Sequence, residues 1–194
     1  MRVSHVDAKL SSSSPIPNGH KEGKGFDATL TYNLNDDVAL VSGVKRIIVR
    51  GDNHTIQKEY VAPQSGYAAP GEQSGVRITP MRAWAAYVGA DYTLRRVEDW
   101  SVGLSARVGL ARTNDVEVDV ADWGTIKALK GGADFYYSVG AFARYDFDKL
   151  YAYGSYSYDD FGRYKSTADP RRLGTISGYA LRTQSISLGL GREF

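Results

Sequence analysis

The stretch "WSVGLSARVGLA" (100–111) alternates without a break. Trp100, Val102, Leu104, Ala106, Val108 and Leu110 fall on one side, and Ser101, Gly103, Ser105, Arg107, Gly109 and Ala111 on the other. Period two over that length specifies a β-strand, because a helix brings every third or fourth residue to one face. The pattern returns in "ADFYYSVGAFARYDF" (133–147), "GFDATLTYNL" (25–34), "WAAYVGADYTL" (84–94) and the closing "SISLGLGREF" (185–194). Residues 38–49 and 150–158 are β-rich but less regular, and "RVSHVDAKL" (2–10) is the weakest of the set. Eight strands and an all-β fold are expected.

The connections are lopsided. "NLNDD", "LRRVED" and "DFDK" are short turns, while 11–24, 50–80, 112–131 and 159–180 are long and polar. Short and long alternate strictly, as they do in an up-and-down meander with every long loop at one end. Transmembrane barrels have this order: an even strand count, short periplasmic turns and long extracellular loops. The chain thus reads as one domain over 1–194, an eight-stranded antiparallel up-and-down barrel with four extracellular loops. Both termini fall on the periplasmic side. No run of 18 apolar residues is present, which excludes a transmembrane helix but not barrel strands of about 10 alternating residues. No leader stands at the N-terminus, so the chain is expected to be a mature or trimmed form, or else cytosolic.

The face assignment separates this reading from a soluble sandwich or lipocalin-like barrel. The apolar lists bear aromatics near strand ends, Tyr32, Tyr92, Trp100, Tyr145 and Phe194, as interfacial girdles do. The opposite lists mix Gly, Ser and Thr with Asp27, Asp91, Arg107, Asp134, Arg144 and Glu193. Small groups suit the narrow interior of a barrel of this size, and opposite charges pair there. With Tyr87, Tyr136, Phe142, Arg107 and Arg144 turned inward, no continuous water channel is expected. Lys45 is expected in the lumen, with Arg46 and Arg50 at headgroup level snorkelling toward lipid phosphates.

Chemistry is sparse. The chain has no cysteine, which excludes disulfides and thiolate metal sites. The net charge of +2 points to no general polyanion or nucleic-acid role. His5, His20 and His54 have no metal-ligand spacing, and no cofactor is expected. Ser11, His20 and Asp27 could be assembled into a hydrolytic triad of the kind some lipid-modifying barrels carry, but such residues are too common for the grouping to specify an enzyme. The loops carry more. Loop four holds Arg163, Lys165, Arg171 and Arg172 against Asp159, Asp160 and Asp169, and loop one holds Lys21 and Lys24 beside His20. Loop three is acidic, with Asp115, Glu117, Asp119 and Asp122 against Lys127 and Lys130. A basic cluster above the membrane suits lipopolysaccharide phosphates, sulfated glycans or acidic proteins. Equally, such charges keep loops soluble. Tyr164 and Tyr179 would add aromatic contact area.

The strands resemble the OmpX/Ail/Lom family of small Gram-negative outer-membrane proteins. "KGFDATLTYNLNDDVALVSGV" (24–44) is similar to that family's second and third strands, and "YVGADYTLRRVEDWSVGLSARVGLART" (87–113) to its fourth and fifth. "YYSVGAFARYDFDKLYAYGSYSYDD" (136–160) is similar to its sixth and seventh, and "SLGLGREF" to its last. The loops depart more, and 50–80 is long for the family. "VSHV" matches only the upper part of the family's first strand, so the remainder of that strand is expected upstream. The resemblance implies a monomeric outer-membrane protein, not an enzyme, that adheres to host components and resists host defence. It implies extracellular-matrix or complement-regulatory proteins as partners, and makes Phe194 the signal read by the outer-membrane assembly machinery. The alternatives from other classes are a structural barrel that organises lipopolysaccharide and a lipid-modifying enzyme.

Overall fold

The computed structural model describes residues 2–10, 19–51, 53–57, 73–120, 124–166 and 180–192. The alternating segments all become strands. In chain order they are β1 (Arg2–Leu10), β2 (Gly19–Asn33), β3 (Val38–Val49), β4 (Asn53–Gln57), β5 (Gln73–Ile78), β6 (Met81–Val97), β7 (Trp100–Thr113), β8 (Val116–Val120), β9 (Gly124–Lys130), β10 (Ala133–Phe147), β11 (Leu150–Arg163), β12 (Lys165–Ser166) and β13 (Ala180–Arg192). Eight of them close a barrel in the order β1-β13-β11-β10-β7-β6-β3-β2, every pair antiparallel. β1 pairs with β2 only from Arg2 opposite Asp27 upward, so it covers the extracellular half of the wall.

The short turns are built by polar side chains and left-handed backbone. The Asn35 side chain accepts hydrogen bonds from the amides of Asp37 and Val38 at 2.9 and 2.8 Å, closing the β2–β3 turn. Val97 faces Trp100 and Phe147 faces Leu150, so two residues make each of the other turns. Glu98 (φ 52°) and Asp148 (φ 58°) supply the positive φ that tight hairpins demand.

The outer wall is apolar. Val44, Val88, Leu104, Val108, Val139, Ile186 and Leu188 are all exposed on it, Leu188 by 70%. Apolar area on this scale is unstable in water, and a lipid phase removes the penalty. Tyr32, Tyr92 and Trp100 rim it on the turn side, where the Trp100 and Tyr145 ring centroids lie 4.9 Å apart. Trp84, Phe135 and Tyr137 rim it toward the long connections. From Tyr92 to Trp84 the β6 backbone climbs about 27 Å, or roughly 20 Å along the normal at barrel tilt, close to the hydrocarbon height such a wall must match.

Above the second rim, the structure departs from the loop expectation. β2 begins at Gly19, inside the expected loop 11–24, because Glu22 and Arg50 still pair across the rim. Loop 50–80 contains β4 and β5, and loop 112–131 contains β8 and β9. Loop 159–180 starts as β11, which runs to Arg163, and continues as β12. These segments form a second sheet in the order β12-β9-β8-β5-β4. Since β11, β10, β7, β6 and β3 are neighbours in the same order, the sheet continues five barrel strands outward as a palisade. Val116, Val118, Leu129 and Ile78 are buried on its inner side and join one apolar cluster with Phe161, Tyr164, Met81, Leu181 and Val6. The chain therefore has an extracellular core as well as a lumen.

Candidate functional site

The lumen is filled by three polar groupings. Lys45 reaches across from β3 to Asp159 on β11 at 2.6 Å, and Tyr136, Ser157 and Ser185 donate to the same carboxylate at 2.7, 3.0 and 3.3 Å. Tyr87 donates to Asp27 at 2.5 Å, with the Thr29 hydroxyl 2.9 Å from the phenol. Arg107 pairs with Asp91 at 3.2 Å. Below these, the Phe142 and Tyr153 rings stack at 5.4 Å, and Phe142 lies so close over Gly103 that a β-carbon there would meet the ring at 2.6 Å. A vestibule of about 480 Å³ opens at the turn end, lined by Asp36, Arg96, Arg144 and Asp146, and stops against that pair. Tyr87, Tyr136, Phe142, Arg107 and Arg144 all point inward as the alternation demands, and Lys45 lies in the lumen.

Two loop assignments and one inward assignment need correction. Asp159 and Asp160 belong to β11 rather than to a loop: Asp159 is fully buried on Lys45, and Asp160 accepts from Arg182 at 2.9 Å. Among the described residues neither acid forms an ion pair with Arg163 or Lys165. Asp134 stands on the lumen side of β10 but is exposed at the mouth, where its carboxylate accepts from the Arg163 and Phe135 amides at 2.7 and 2.8 Å. The Ser11–His20–Asp27 grouping also fails. His20 and Asp27 share strand β2 seven residues apart, about 23 Å at strand rise, and Asp27 is held by Tyr87. Ser11 lies outside the described residues.

The predicted basic residues are distributed as follows. Lys21 and Lys24 belong to β2, not to a loop, and their odd and even positions put them on opposite faces. Lys21 turns to the lumen side beside Ala8, and Lys24 turns outward beside His5. Arg163 ends β11 and Lys165 starts β12, both exposed. Tyr164 between them is buried in the extracellular core and offers no contact surface. Arg171, Arg172, Tyr179 and Phe194 lie outside the described residues.

One juxtaposition was not visible in the chain. Lys165 stands directly opposite Lys130 in the β12–β9 ladder, and both are exposed. Counted by position, Lys130 belongs to the acidic third loop; the ladder moves it to the basic group with Arg163 and Lys165. Like charges directly opposite are destabilising in a sheet, and here Asp134 near Lys165 and Asp115 near Lys130 offset the repulsion in part. The other lysine of that loop is committed elsewhere. Lys127 pairs with Asp115 at 2.6 Å, and the Gly131 amide donates to the same carboxylate at 2.9 Å. The Lys127 bond, then the Gly131 amide, hold the Asp115 carboxyl below the usual carboxylate range, and Asp115 raises the Lys127 ammonium in turn.

A lipid-facing wall rimmed by aromatics around a filled lumen defines a class: the small eight-stranded β-barrels of the bacterial outer membrane. No family model matches the chain, and no curated protein matches it in sequence. Solved structures do. The neisserial surface protein A, NspA, is similar over 100% of this chain and 96% of its own, at 16% identity and a TM-score of 0.53. Ail, the attachment invasion locus protein of Yersinia pestis, matches over 100% and 95% at 12% identity and a TM-score of 0.46. The N-terminal barrel of Pseudomonas aeruginosa OprF matches over 98% and 97% at 10% identity and a TM-score of 0.32. The whole-chain likeness to NspA bears out, at the level of fold, the resemblance drawn from the strands.

Proposed function

We propose that this protein is a surface-binding barrel whose extracellular sheet attaches the cell to anionic host components and, by recruiting them, resists host defence. The observation that carries the reading is the facing pair Lys130 and Lys165, with Arg163 two residues before Lys165 on the same exposed side. A barrel with no task above the membrane needs only connections there. Ordering a further sheet costs about 1–2 kcal/mol of backbone entropy per residue, and here that order presents three exposed cations that Asp134 and Asp115 offset only in part. Arg171 and Arg172 follow in the same connection and extend the basic character. The ligand class is a sulfated glycan or an acidic face of a matrix or complement-regulatory protein. Phe194 serves as the assembly signal that delivers the barrel to the membrane.

The test replaces Lys130, Arg163, Lys165, Arg171 and Arg172 by Ser and measures heparin binding by the folded protein at low and physiological salt. Exposed single contacts are worth roughly 1 kcal/mol or less, so the five together are needed. Binding should fall at both salt concentrations, and most at low salt. Neutralising Glu117 and Asp119 should not weaken it. Equal binding by the five-residue variant and the parent at low salt would remove the basic group from the mechanism.

A further inference from the structure

The vestibule at the turn end is used neither by the lumen bridges nor by the extracellular sheet. Its volume of about 480 Å³ falls within the roughly 300–1,000 Å³ of small-molecule pockets. At its inner level Arg96 on β6, Ser101 on β7 and Arg144 on β10 are direct neighbours in one cross-strand row, and all three line the cavity. Ser101 is only 4% exposed, and among the described residues its hydroxyl makes no hydrogen bond. Buried polar groups are satisfied almost without exception, so a hydroxyl that opens only onto a cavity calls for a partner inside it. Arg144 is fixed in place: its guanidinium lies over the Tyr151 ring, 4.1 Å from the centroid, and its Nε donates to Asp146 at 2.6 Å. Arg96 donates to the Asp36 carbonyl at 3.0 Å and forms no ion pair among the described residues. Two guanidiniums flanking a hydroxyl make a donor set for a carboxylate.

Nearer the rim the sign reverses. Asp36 and Asp37 on the β2–β3 turn, Glu98 and Asp99 on the β6–β7 turn and Asp148 on the β10–β11 turn line the same cavity. None of these five forms an ion pair among the described residues. They are spread over three turns, and among the described residues no three acids or histidines stand close enough to hold a metal ion. An extended ligand with ammonium groups reaches carboxylates that one small ion does not. Between the two levels the stacked rings of Phe142 and Tyr153 form an apolar floor against which a methylene stem can lie.

We infer that the vestibule binds a small zwitterion with one carboxylate and a side-chain ammonium on a methylene stem, the chemistry of lysine and its homologues. The carboxylate meets Arg96, Ser101 and Arg144, the stem lies on the Phe142–Tyr153 floor, and the ammonium groups meet the acids of the three turns. In barrels of this class the short turns face the periplasm, so the ligand enters from that side. The site shares no residue with the extracellular basic group, and either can fail alone.

The experiment follows backbone amide shifts of the folded, nitrogen-15-labelled protein in zwitterionic detergent micelles during titration with L-lysine. Cadaverine, which lacks the carboxylate, and L-norleucine, which lacks the side-chain ammonium, are the comparison arms. Lysine should shift the amides of Arg96, Ser101 and Arg144 and bind at least about tenfold more tightly than either, a factor that one hydrogen-bonded charge supplies. R96Q/S101A should weaken lysine about tenfold and leave cadaverine unchanged. E98Q/D99N/D148N should weaken lysine and cadaverine and leave norleucine unchanged. A heat-modifiable gel shift establishes folding for each variant, and the turn variant, which changes exposed residues alone, carries the test if R96Q/S101A does not fold. Equal binding of lysine and cadaverine by the parent would show that the acids attract any cation and would overturn the site. Unmoved vestibule amides in the parent, or undiminished lysine binding by either folded variant, would overturn it as well.

Discussion

Lys45→Met isolates the most deeply buried ion pair among the described residues. In the parent, the Lys45 and Asp159 side chains are 4% and 0% exposed and meet at 2.6 Å. The substitution keeps the length and apolar stem of the side chain and removes only the cation. Asp159 would keep the hydroxyl donors of Tyr136, Ser157 and Ser185 but lose the positive charge that balances it. A buried charge stripped of its partner costs about 3–5 kcal/mol, and the retained donors place the expectation near 3. Replacing Asp159 by Asn as well removes the stranded charge while keeping an acceptor for the hydroxyls, so K45M/D159N should recover most of the loss. The measurement is reversible urea unfolding in short-chain phosphatidylcholine vesicles, followed by tryptophan fluorescence at neutral pH, for parent, both single variants and the pair. The coupling energy of the cycle should be about 2–3 kcal/mol. If K45M unfolds within about 0.5 kcal/mol of the parent, or if the pair is less stable than K45M alone, the bridge does not hold the two sides of the wall together.

Two further outcomes follow from the same geometry. Asp115 has a folded-state pKa below its unfolded value, so its contribution is fully present above about pH 4 and lost as pH falls through the lowered value; amide exchange in the β8–β9 hairpin should accelerate between pH 5 and pH 2.5 beyond the intrinsic change, and D115N should abolish that step while leaving the barrel strands unaffected. The lumen, crossed by Tyr87, Tyr136, Arg107 and the stacked Phe142 and Tyr153, should give no stable ion-selective conductance steps in planar bilayers, and reproducible unitary steps from pure protein would refute the filled interior.

How much of this was legible in the chain depends on the range of the interaction. Alternation is a property of neighbours: Trp100 through Leu110 point one way whatever the rest of the chain does, so strand identity, face and the inward course of Arg107 and Lys45 could be read directly. The order of short and long connections then fixed the barrel. What failed were the boundaries at 24, 50, 112 and 159, because a strand that leaves the membrane no longer needs an apolar outer face. β8 is "VEVDV", two acids on one side and three valines on the other, and its period was overlooked beneath its charge.

The site could not be read because it is made by register. Nothing in the sequence says that Lys130 faces Lys165, that Asp159 belongs to Lys45 rather than to the arginines that follow it, or that Tyr164 turns into an apolar core. Each of those facts depends on which strand lies alongside which, and a shift of one residue would reverse every one of them. The sequence by itself determined the strands, their faces and the membrane as solvent, since these follow from local backbone geometry and the transfer of apolar side chains. The tertiary structure alone decided which charges neutralise one another and which stand beside like charges, because electrostatic pairing depends on distances between residues as far apart in the chain as Lys45 and Asp159.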